Sequence, residues 1–380
     1  MVFFRAIFAL FFILGVPCAW AQAPALDINA REAFILDSAT NTVLFEKDAD
    51  QPMSPSSMSK LMTMYMVFDA LHSGRLKLTD TLPVSKHAWQ QEGSRMFLKV
   101  GSRASVENLI RGVIVQSGND AAVVLAEELG AGSEPAFADL MNAKAKELGL
   151  SESHFVNATG LPDPKHYSTA RDLAILSLAL LRDFPEYYHY FSERTFTYNG
   201  IKQGNRNPLL YRNMSVDGLK TGHTSTGGFG LAASSIRDGR RLVVVLNGMR
   251  DMQSRADEAA KAFDYGYREF GLYTIAKKDD ILATPTVWLG ENETVPIVVE
   301  KEALITLPRS DRRLMKATVS FYQPMAAPIK KGNIMGTLTI TAPHMDPKIL
   351  SLVAAQDVQQ VGFFSRIFQK LGLLLNKVLG

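Results

Sequence analysis

The amino-acid sequence predicts an α+β protein: an antiparallel sheet with a helical cluster, followed by a small all-β domain and a C-terminal amphipathic helix. Three observations predict this order. Strand-like runs occur near the start of the chain and again between residues 217 and 248, whereas the region between them has the apolar spacing of helices. Short β-type runs without a helical period fill residues 276–347. The last twenty residues are apolar on one helical face and basic on the other.

The first residues have the layout of a secretory signal peptide. Arg5 precedes an apolar run from Ala6 to Val16, and the small-residue pattern Ala19-Trp20-Ala21 follows. The apolar run is shorter than the roughly 20 residues that a transmembrane helix needs. We therefore expect residues 1–21 to be removed together with Cys18, the sole cysteine, which leaves an exported protein without a disulfide.

The composition is that of a folded globular protein. With 380 residues, of which 47% are hydrophobic and 21% charged, the chain is long enough for two cores. A formal charge of +3 is too small to indicate a nucleic-acid partner. We predict domains at residues 22–275 and 276–350, with a separate helix at 361–380.

The first domain is expected to begin with a hairpin and continue with helices. Two apolar runs, residues 32–38 and 42–46, predict the antiparallel hairpin. The predicted helices run from Ser57 to Leu71, over 106–116, over 120–129 and from Thr169 to Arg182. Gly118 separates the second and third helices, and Asn119 or Asp120 is expected to cap the third.

The same domain is expected to close with three strands and a helix. Residues 217–248 contain the runs GLKTG, FGLAASSI and RLVVVLNGM, and Asp238-Gly239 between the last two is a strong signal for a two-residue hairpin. Residues 255–270 have an amphipathic helical pattern. Because strands open and close the region, we expect them to share one sheet.

The C-terminal segment, residues 361–380, is a candidate membrane-surface helix. It carries Arg366, Lys370 and Lys377 opposite a stripe of Phe, Ile, Leu and Val, and it has no acidic residue. This pattern is typical of helices that lie in the interface of an anionic bilayer. The alternative is a terminal helix packed on the protein's own core. It is disfavoured because a tail after a β domain has no evident core to join.

Three short motifs occur in the chain with residue types that complement one another: Ser57-Met58-Ser59-Lys60, Ser117-Gly118-Asn119 and Lys220-Thr221-Gly222. Each motif alone occurs by chance in many sequences. Together, in this order and on a helix, an inter-helix loop and a candidate edge strand, they indicate one catalytic site.

The first motif places a lysine one helical turn after a serine. A serine hydroxyl needs a base to become a nucleophile, and residues three apart share a helix face, so Lys60 can approach Ser57. Burial against the neighbouring methionines, and the second cation Lys220, would lower the pKa of Lys60 and favour its neutral form. The alternative is ordinary capping by Ser57 with a solvated Lys60.

The other two motifs also have structural alternatives. Ser117 and Asn119 can point into one cleft from a tight loop, or can simply form a helix-to-helix turn. On the third motif, Gly222 leaves room for an extended peptide, with Lys220 and Thr221 facing its carboxylate. The alternative is an edge strand that a lysine protects from aggregation.

A Ser-His-Asp triad built on His223 with Asp217 or Asp172 is disfavoured, because Lys60 is the better placed base. No His, Cys or carboxylate cluster has metal-ligand spacing, and no glycine-rich loop precedes a helix as in a phosphate site. The sequence therefore gives no reason to expect a metal or a cofactor.

The motifs resemble those of low-molecular-mass penicillin-binding proteins of the D-alanyl-D-alanine carboxypeptidase family, penicillin-binding protein 5 type. The resemblance covers nearly the whole chain. It includes the trailing β domain, the amphipathic tail and the stretches NATGLPD (157–163), YSTARDLA (167–174), NRN (205–207) and VDGLKTGHT (216–224). It implies the fold of the serine β-lactamases and DD-peptidases. Glycine in the middle of the second motif is accepted in this family, where class A β-lactamases usually have Asp.

The resemblance also implies roles for the catalytic residues. Ser57 would be the nucleophile, Lys60 the acylation base and Ser117 the relay of the proton to the leaving amine. The backbone amides of Ser57 and His223 would form the oxyanion hole, which is often the largest single catalytic contribution.

The remaining implied residues would bind substrate. Asn119 would hold the substrate backbone, and Lys220 would support the site electrostatically. Thr221, Arg206 and Arg255 are candidates for binding the terminal carboxylate, and each arginine could equally form a surface ion pair.

The implied activity is removal of the terminal D-alanine from the pentapeptides of peptidoglycan through an acyl-serine intermediate, with β-lactams as covalent inhibitors. The implied location is the periplasmic face of the inner membrane, with the C-terminal helix on the membrane surface. A β-lactamase is disfavoured because residues 140–215 contain no Glu-x-x-Leu-Asn sequence. The motifs are also compatible with a non-catalytic cell-wall binding protein and with a DD-endopeptidase.

Overall fold

The structure, a computed structural model, describes residues 26–363 and residue 367. The predicted signal peptide lies outside these residues, and so does most of the predicted C-terminal helix. Over the described part of the chain, no helix combines the length and the apolar character needed to cross a bilayer.

The elements of residues 26–269 follow the predicted order of strands, helices, strands and helix. In chain order they are β1 (Glu32–Asp37), β2 (Thr42–Lys47), α1 (Lys60–His72), β3 (Thr81–Pro83), α2 (Lys86–Trp89), β4 (Arg103–Ser105), α3 (Val106–Val115), α4 (Asn119–Leu129), α5 (Glu134–Leu148), α6 (Ala170–Asp183), β5 (Thr195–Tyr198), β6 (Ile201–Gly204), β7 (Val216–Thr224), β8 (Gly228–Arg237), β9 (Arg240–Met249) and α7 (Met252–Glu269). Short 3₁₀ turns lie at Ser56–Ser59, Tyr188–Ser192 and Pro208–Tyr211.

The main sheet joins the first and last strands of this region, as predicted. Its order is β2-β1-β9-β8-β7, and every neighbouring pair is antiparallel. Asp238 and Gly239, both with positive φ, form the turn between β8 and β9. The predicted edge position of β7 is confirmed, so the Lys220-Thr221-Gly222 motif lies on an open edge.

Helices cover both faces of this sheet. Along β1, Phe34 and Leu36 pack into the core formed by α1, α3, α4 and α6, while Ala33 and Ile35 pack into a second core under α7. Alternate residues of a strand point to opposite faces, so a strand between two cores is buried on both faces. This explains why β1 is buried at all of its positions.

Two helix starts differ from the predictions. The helix predicted from Ser57 begins as an α-helix only at Lys60; Ser57 lies in the preceding 3₁₀ turn, and no side chain caps either element. Asn119 and Asp120 lie inside α4, whose N-cap is Gly118, so the prediction that one of them is the cap is wrong. Their side chains contact other segments instead. The helix α5 and the hairpin β5–β6 were not predicted from the sequence.

The C-terminal region consists of strands. They are β10 (Phe270–Ala276), β11 (Ile281–Ala283), β12 (Val287–Trp288), β13 (Ile297–Val299), β14 (Ala303–Pro308), β15 (Lys316–Phe321), β16 (Met325–Ala326), β17 (Ile334–Thr341) and β18 (Lys348–Ala354), with a 3₁₀ turn at Arg309–Arg313. Five of them form the antiparallel sheet β11-β13-β18-β17-β15, while β10 pairs with β14 and β12 with β16.

A buried ion pair connects the main sheet to the C-terminal strands. Arg240 Nε donates to Asp37 Oδ2 at 2.7 Å, and Thr306 Oγ1 of β14 donates to the same oxygen at 3.0 Å. Arg240 also donates to the Phe270 carbonyl at 2.8 Å. The hydrogen bonds compensate both charges, as burial requires.

Candidate active site

The predicted nucleophile, Ser57, lies in the Ser56–Ser59 turn, which packs against β7. A Cβ atom added to Gly222 would lie 2.9 Å from the Pro55 carbonyl oxygen and 3.0 Å from Ser56 Cβ. Glycine is thus needed here because the protein's own turn approaches the strand. From the sequence, the same space was expected to hold a substrate.

Lys60 is enclosed and makes three polar contacts. Its side chain is fully buried, and its Nζ lies 3.0 Å from Ser57 Oγ, 2.7 Å from Asn119 Oδ1 and 2.6 Å from the Thr159 carbonyl oxygen. The capping alternative with a solvated Lys60 is therefore wrong. Burial, and next the charge of Arg206, lower the pKa of Lys60 to about 7.

The three contacts match the hydrogen-bonding capacity of a neutral amine. The oxygens of Asn119 and Thr159 can only accept, so the two N–H bonds of neutral Lys60 are directed to them. In this neutral form the lone pair faces Ser57 Oγ and accepts its proton, whereas the protonated amine donates to Ser57 Oγ. With a pKa of about 7, a large fraction of Lys60 is neutral at neutral pH.

Asn119 is positioned by the loop that precedes β4. Its backbone N–H donates to the Ser94 carbonyl at 2.7 Å, and its Nδ2 donates to the Glu92 carbonyl at 2.6 Å. The buried carboxylate of Asp120 accepts hydrogen bonds from the backbone N–H groups of Met96 and Leu98, at 2.9 and 3.1 Å. Asp120, for which the sequence suggested only a possible capping role, therefore orders this loop.

Ser117 has two features that are uncommon for serine. Its φ is +62°, in the left-handed region, and its buried Oγ has no hydrogen-bond partner among the described residues. An unpaired buried hydroxyl and a strained backbone both cost free energy, and such features concentrate at functional sites.

A group of cations surrounds the site. Burial, and then the charges of Lys60, Arg206 and Arg255, lower the pKa of Lys220 well below its usual value. Burial and Arg206 lower the pKa of Arg255 to about 10. Among the described residues, Lys220 Nζ donates to the Thr221 carbonyl, Arg206 to Ser94 Oγ and Arg255 to the Arg206 carbonyl; none of the three forms an ion pair.

His223 does not take part in a triad. Its exposed ring packs on Phe229, with centroids 4.0 Å apart. Asp217 pairs with Arg241, and Asp172 accepts a hydrogen bond from Ser153. These contacts agree with the expectation that His223 forms no catalytic triad with Asp217 or Asp172.

Three contributors to the site were missed from the sequence. The Thr159 carbonyl holds Lys60, Asp120 orders the loop beside Asn119, and His166 Nε2 lies 2.7 Å from Ser59 Oγ. A backbone carbonyl has no sequence signal. The sequence signal for Asp120 is only its position directly after Asn119 of the second motif. The signal for His166 is only its position between the NATGLPD and YSTARDLA stretches.

A cavity of about 940 Å³ lies elsewhere, between β1, β2 and α6, and none of the predicted site residues lines it. The predicted nucleophile and base lie instead beside β7, the open edge of the main sheet.

The fold and this site define a class: hydrolases with an active-site serine and lysine on one turn beside an edge strand. Comparison with known proteins gives the family. The D-alanyl-D-alanine carboxypeptidase family model matches residues 19–250, and a model of the C-terminal domain of penicillin-binding protein 5 matches residues 270–360. The chain belongs to the D-alanyl-D-alanine carboxypeptidase family of serine peptidases.

Individual relatives agree with this assignment. The chain is 38% identical to D-alanyl-D-alanine carboxypeptidase DacC of Escherichia coli, over 94% of this chain and 92% of that protein. Penicillin-binding protein 5 from Haemophilus influenzae has a similar structure, with a TM-score of 0.81 and 34% identity over 89% of this chain and all of that one. Penicillin-binding protein D2 from Listeria monocytogenes, in a cefotaxime-bound form, matches 64% of this chain and 99% of that chain at 30% identity and a TM-score of 0.59.

Proposed function

We propose that the protein is a serine D-alanyl-D-alanine carboxypeptidase that removes the terminal D-alanine of peptidoglycan stem peptides and is acylated by β-lactams. The observation that carries the proposal is the buried Lys60, 3.0 Å from Ser57 Oγ, with a pKa of about 7. The family membership and the carboxypeptidase names of the relatives supply the substrate class.

In the proposed acylation, Ser57 Oγ attacks the carbonyl carbon of the penultimate D-alanine and Lys60 accepts the hydroxyl proton. The backbone amides of Ser57 and His223 stabilise the oxyanion. The C–N bond then breaks, and Ser117 relays a proton to the amine of the leaving D-alanine. Water hydrolyses the Ser57 ester, which releases the shortened peptide and restores the hydroxyl.

The cations of the site account for recognition of a C-terminal carboxylate. Lys220, Arg206 and Arg255 form no ion pair among the described residues, so an anionic ligand would compensate their charges. Thr221 lies between Lys220 and Gly222 on the edge strand, where an extended peptide could pair with β7. Asn119 would then hold the peptide backbone from the opposite side.

The proposal is tested with a fluorescent penicillin and with diacetyl-L-Lys-D-Ala-D-Ala. We expect a covalent adduct on Ser57 and release of D-alanine. A wild-type protein that takes up no label would contradict the proposal. Rapid turnover of penicillin without a lasting adduct would indicate a β-lactamase, and labelling without D-alanine release would indicate a binding protein.

We further propose that the chain is exported through its N-terminal signal peptide and attached to the periplasmic face of the inner membrane by residues 361–380. The sequence patterns of both segments support this. Deleting residues 361–380 should release the protein from anionic vesicles and leave penicillin labelling unchanged. Equal vesicle binding before and after the deletion would refute the anchor.

A further inference from the structure

A buried serine and histidine adjoin the site and have no part in the proposed chemistry. Ser59 is fully buried and His166 is 5% exposed, and Ser59 Oγ lies 2.7 Å from His166 Nε2. Ser59 Oγ also donates to the Ser56 carbonyl oxygen at 2.9 Å. The hydroxyl hydrogen is used in that bond, so Ser59 must accept from His166.

The surroundings of His166 determine where its proton lies. The backbone N–H of Val156 donates to His166 Nδ1 at 3.3 Å, so Nδ1 is an acceptor and Nε2 carries the hydrogen. Burial lowers the pKa of His166 to about 4, which keeps this neutral form at neutral pH. The result is a directed chain of hydrogen bonds from Val156 through His166 and Ser59 to the Ser56 carbonyl.

This chain ends on the backbone that carries the nucleophile. Ser56 has a φ of +51°, a conformation that serine adopts only when its surroundings hold it. On the other side, Ser56 Oγ lies 3.2 Å from Thr224 Oγ1 on β7. The turn that presents Ser57 is therefore fixed to the sheet edge by one contact and to His166 by the other.

The segment that carries His166 also contacts Lys60. The Thr159 carbonyl in this segment accepts from Lys60 Nζ at 2.6 Å. Gly160, with a φ of +77°, packs so closely on Ser56 that a Cβ atom would overlap the Ser56 carbonyl. One segment thus sets the position of the predicted base directly and that of the predicted nucleophile through Ser59.

We propose that His166 is a positioning residue that, through Ser59, holds the Ser56–Ser59 turn against the segment bearing the Thr159 carbonyl and so sets the geometry of the Ser57–Lys60 pair. It does not touch the reacting atoms. The proposal rests on the proposed function, because its effect is the rate at which Ser57 is acylated.

The test measures the rate and the final extent of labelling by a fluorescent penicillin for His166→Leu, His166→Gln, Ser59→Ala and the double variant His166→Leu/Ser59→Ala. Leucine removes the donor, whereas the amide of glutamine can still donate to Ser59. We expect His166→Leu and Ser59→Ala each to slow acylation about 10- to 100-fold. Glutamine should restore most of the rate. The double variant should be no slower than the slower single variant, because both substitutions break one chain.

The final extent of labelling separates positioning from folding. A positioning role lowers the rate while nearly every molecule is eventually labelled. If fewer molecules are labelled but those molecules react at the wild-type rate, His166 has a role in folding only, and the proposal is overturned. Additive effects of the two substitutions in the double variant would also overturn it. If His166→Leu yields no folded protein, the Ser59→Ala variant becomes the test. A wild-type acylation rate in that variant overturns the proposal.

The wild-type protein distinguishes this proposal from the proposed function. A wild type that takes up no label overturns both. A wild type that is labelled, with all four variants reacting at its rate, overturns the positioning role alone.

Discussion

The region of residues 26–269 and the C-terminal region of residues 270–363 differ in what they bury. Around the site the first region buries charged and polar side chains, including Lys60, Lys220, Asp120 and Arg255. Among the described residues of the C-terminal region, the buried polar side chains are Thr306 and Asp311. Burying a polar or charged group costs free energy unless it is paired. The comparison therefore favours the first region as the location of the proposed catalytic site.

The C-terminal region follows the simpler rule of an alternating sheet. On β17, Leu338 and Ile340 are buried while the threonines between and beside them are partly exposed. The core beneath this strand is formed by aliphatic side chains. Such a region can be stable without any residue that would serve catalysis, so substitutions in it should change stability and leave acylation alone.

The largest expected effect is that of removing the nucleophile. Ser57→Ala should abolish covalent labelling by penicillin, because the hydroxyl that Lys60 Nζ contacts in the described part of the chain is that of Ser57. The matched control, Ser351→Ala at an exposed position of β18, should label at the wild-type rate. Mass spectrometry of the adduct measures both. Covalent labelling of the Ser57→Ala protein would contradict the assignment of the nucleophile to the first region, since the reactive group would then lie elsewhere.

The next effect is the pH dependence of acylation. The neutral fraction of Lys60 rises with pH through its pKa of about 7, so the acylation rate should rise with pH and level off above that value. At pH 5 the rate should be about 100-fold below the plateau. Stopped-flow labelling measures it.

Two substitutions by arginine test whether Lys60 is the group responsible for this pH dependence. Lys60→Arg should not label near neutral pH, because arginine stays protonated. Lys316→Arg, at an exposed position of the C-terminal region, should keep the wild-type profile. If the acylation rate of the wild-type protein decreases as the pH is raised from 5 to 8, Lys60 cannot be the base.

A smaller effect concerns stability alone. Ile340→Ala in the C-terminal core should lower the free energy of unfolding by about 2 to 5 kcal/mol, because Ile340 is fully buried and the substitution leaves a cavity. The control Ile349→Ala, 63% exposed on β18, should have little effect. Urea unfolding measures the difference. A slower penicillin acylation in Ile340→Ala would show that the two regions are coupled.

The smallest effect is expected at the contact between the regions. Thr306→Val removes the hydroxyl that donates to Asp37 and should lower the free energy of unfolding by about 2 kcal/mol, since the lost bond is to a charged group. Thr318→Val, on the exposed face of β15, is the matched control. Thermal unfolding is the measurement, and equal stability of the two variants would contradict the role of Thr306.

Periodicity and turn chemistry predicted most of the fold. The hairpin of β1 and β2, the strands β7 to β9 with their Asp238-Gly239 turn, and the helix α6 lie where the sequence placed them. The predicted cap of α4 is wrong, because the side chains of Asn119 and Asp120 make long-range contacts in place of local capping. The predicted start of α1 differs because residues Ser56–Ser59 form a 3₁₀ turn. Local preference cannot anticipate a partner distant in the sequence.

By itself, the sequence determined the family, the class of chemistry and the three motifs, because nucleophile, base and carboxylate binder require particular residue types in a recognisable order. Only the tertiary structure decided how far the pKa of Lys60 is lowered and how the Ser56–Ser59 turn holds Ser57 beside it. The Thr159 carbonyl contacts Lys60, His166 contacts Ser59 and Gly222 packs on Ser56, and all three come from distant parts of the chain. The charge of Arg206 adds to the effect of burial on the pKa of Lys60. A pKa and a strained turn are properties of such surroundings, and the surroundings exist only once the chain has folded.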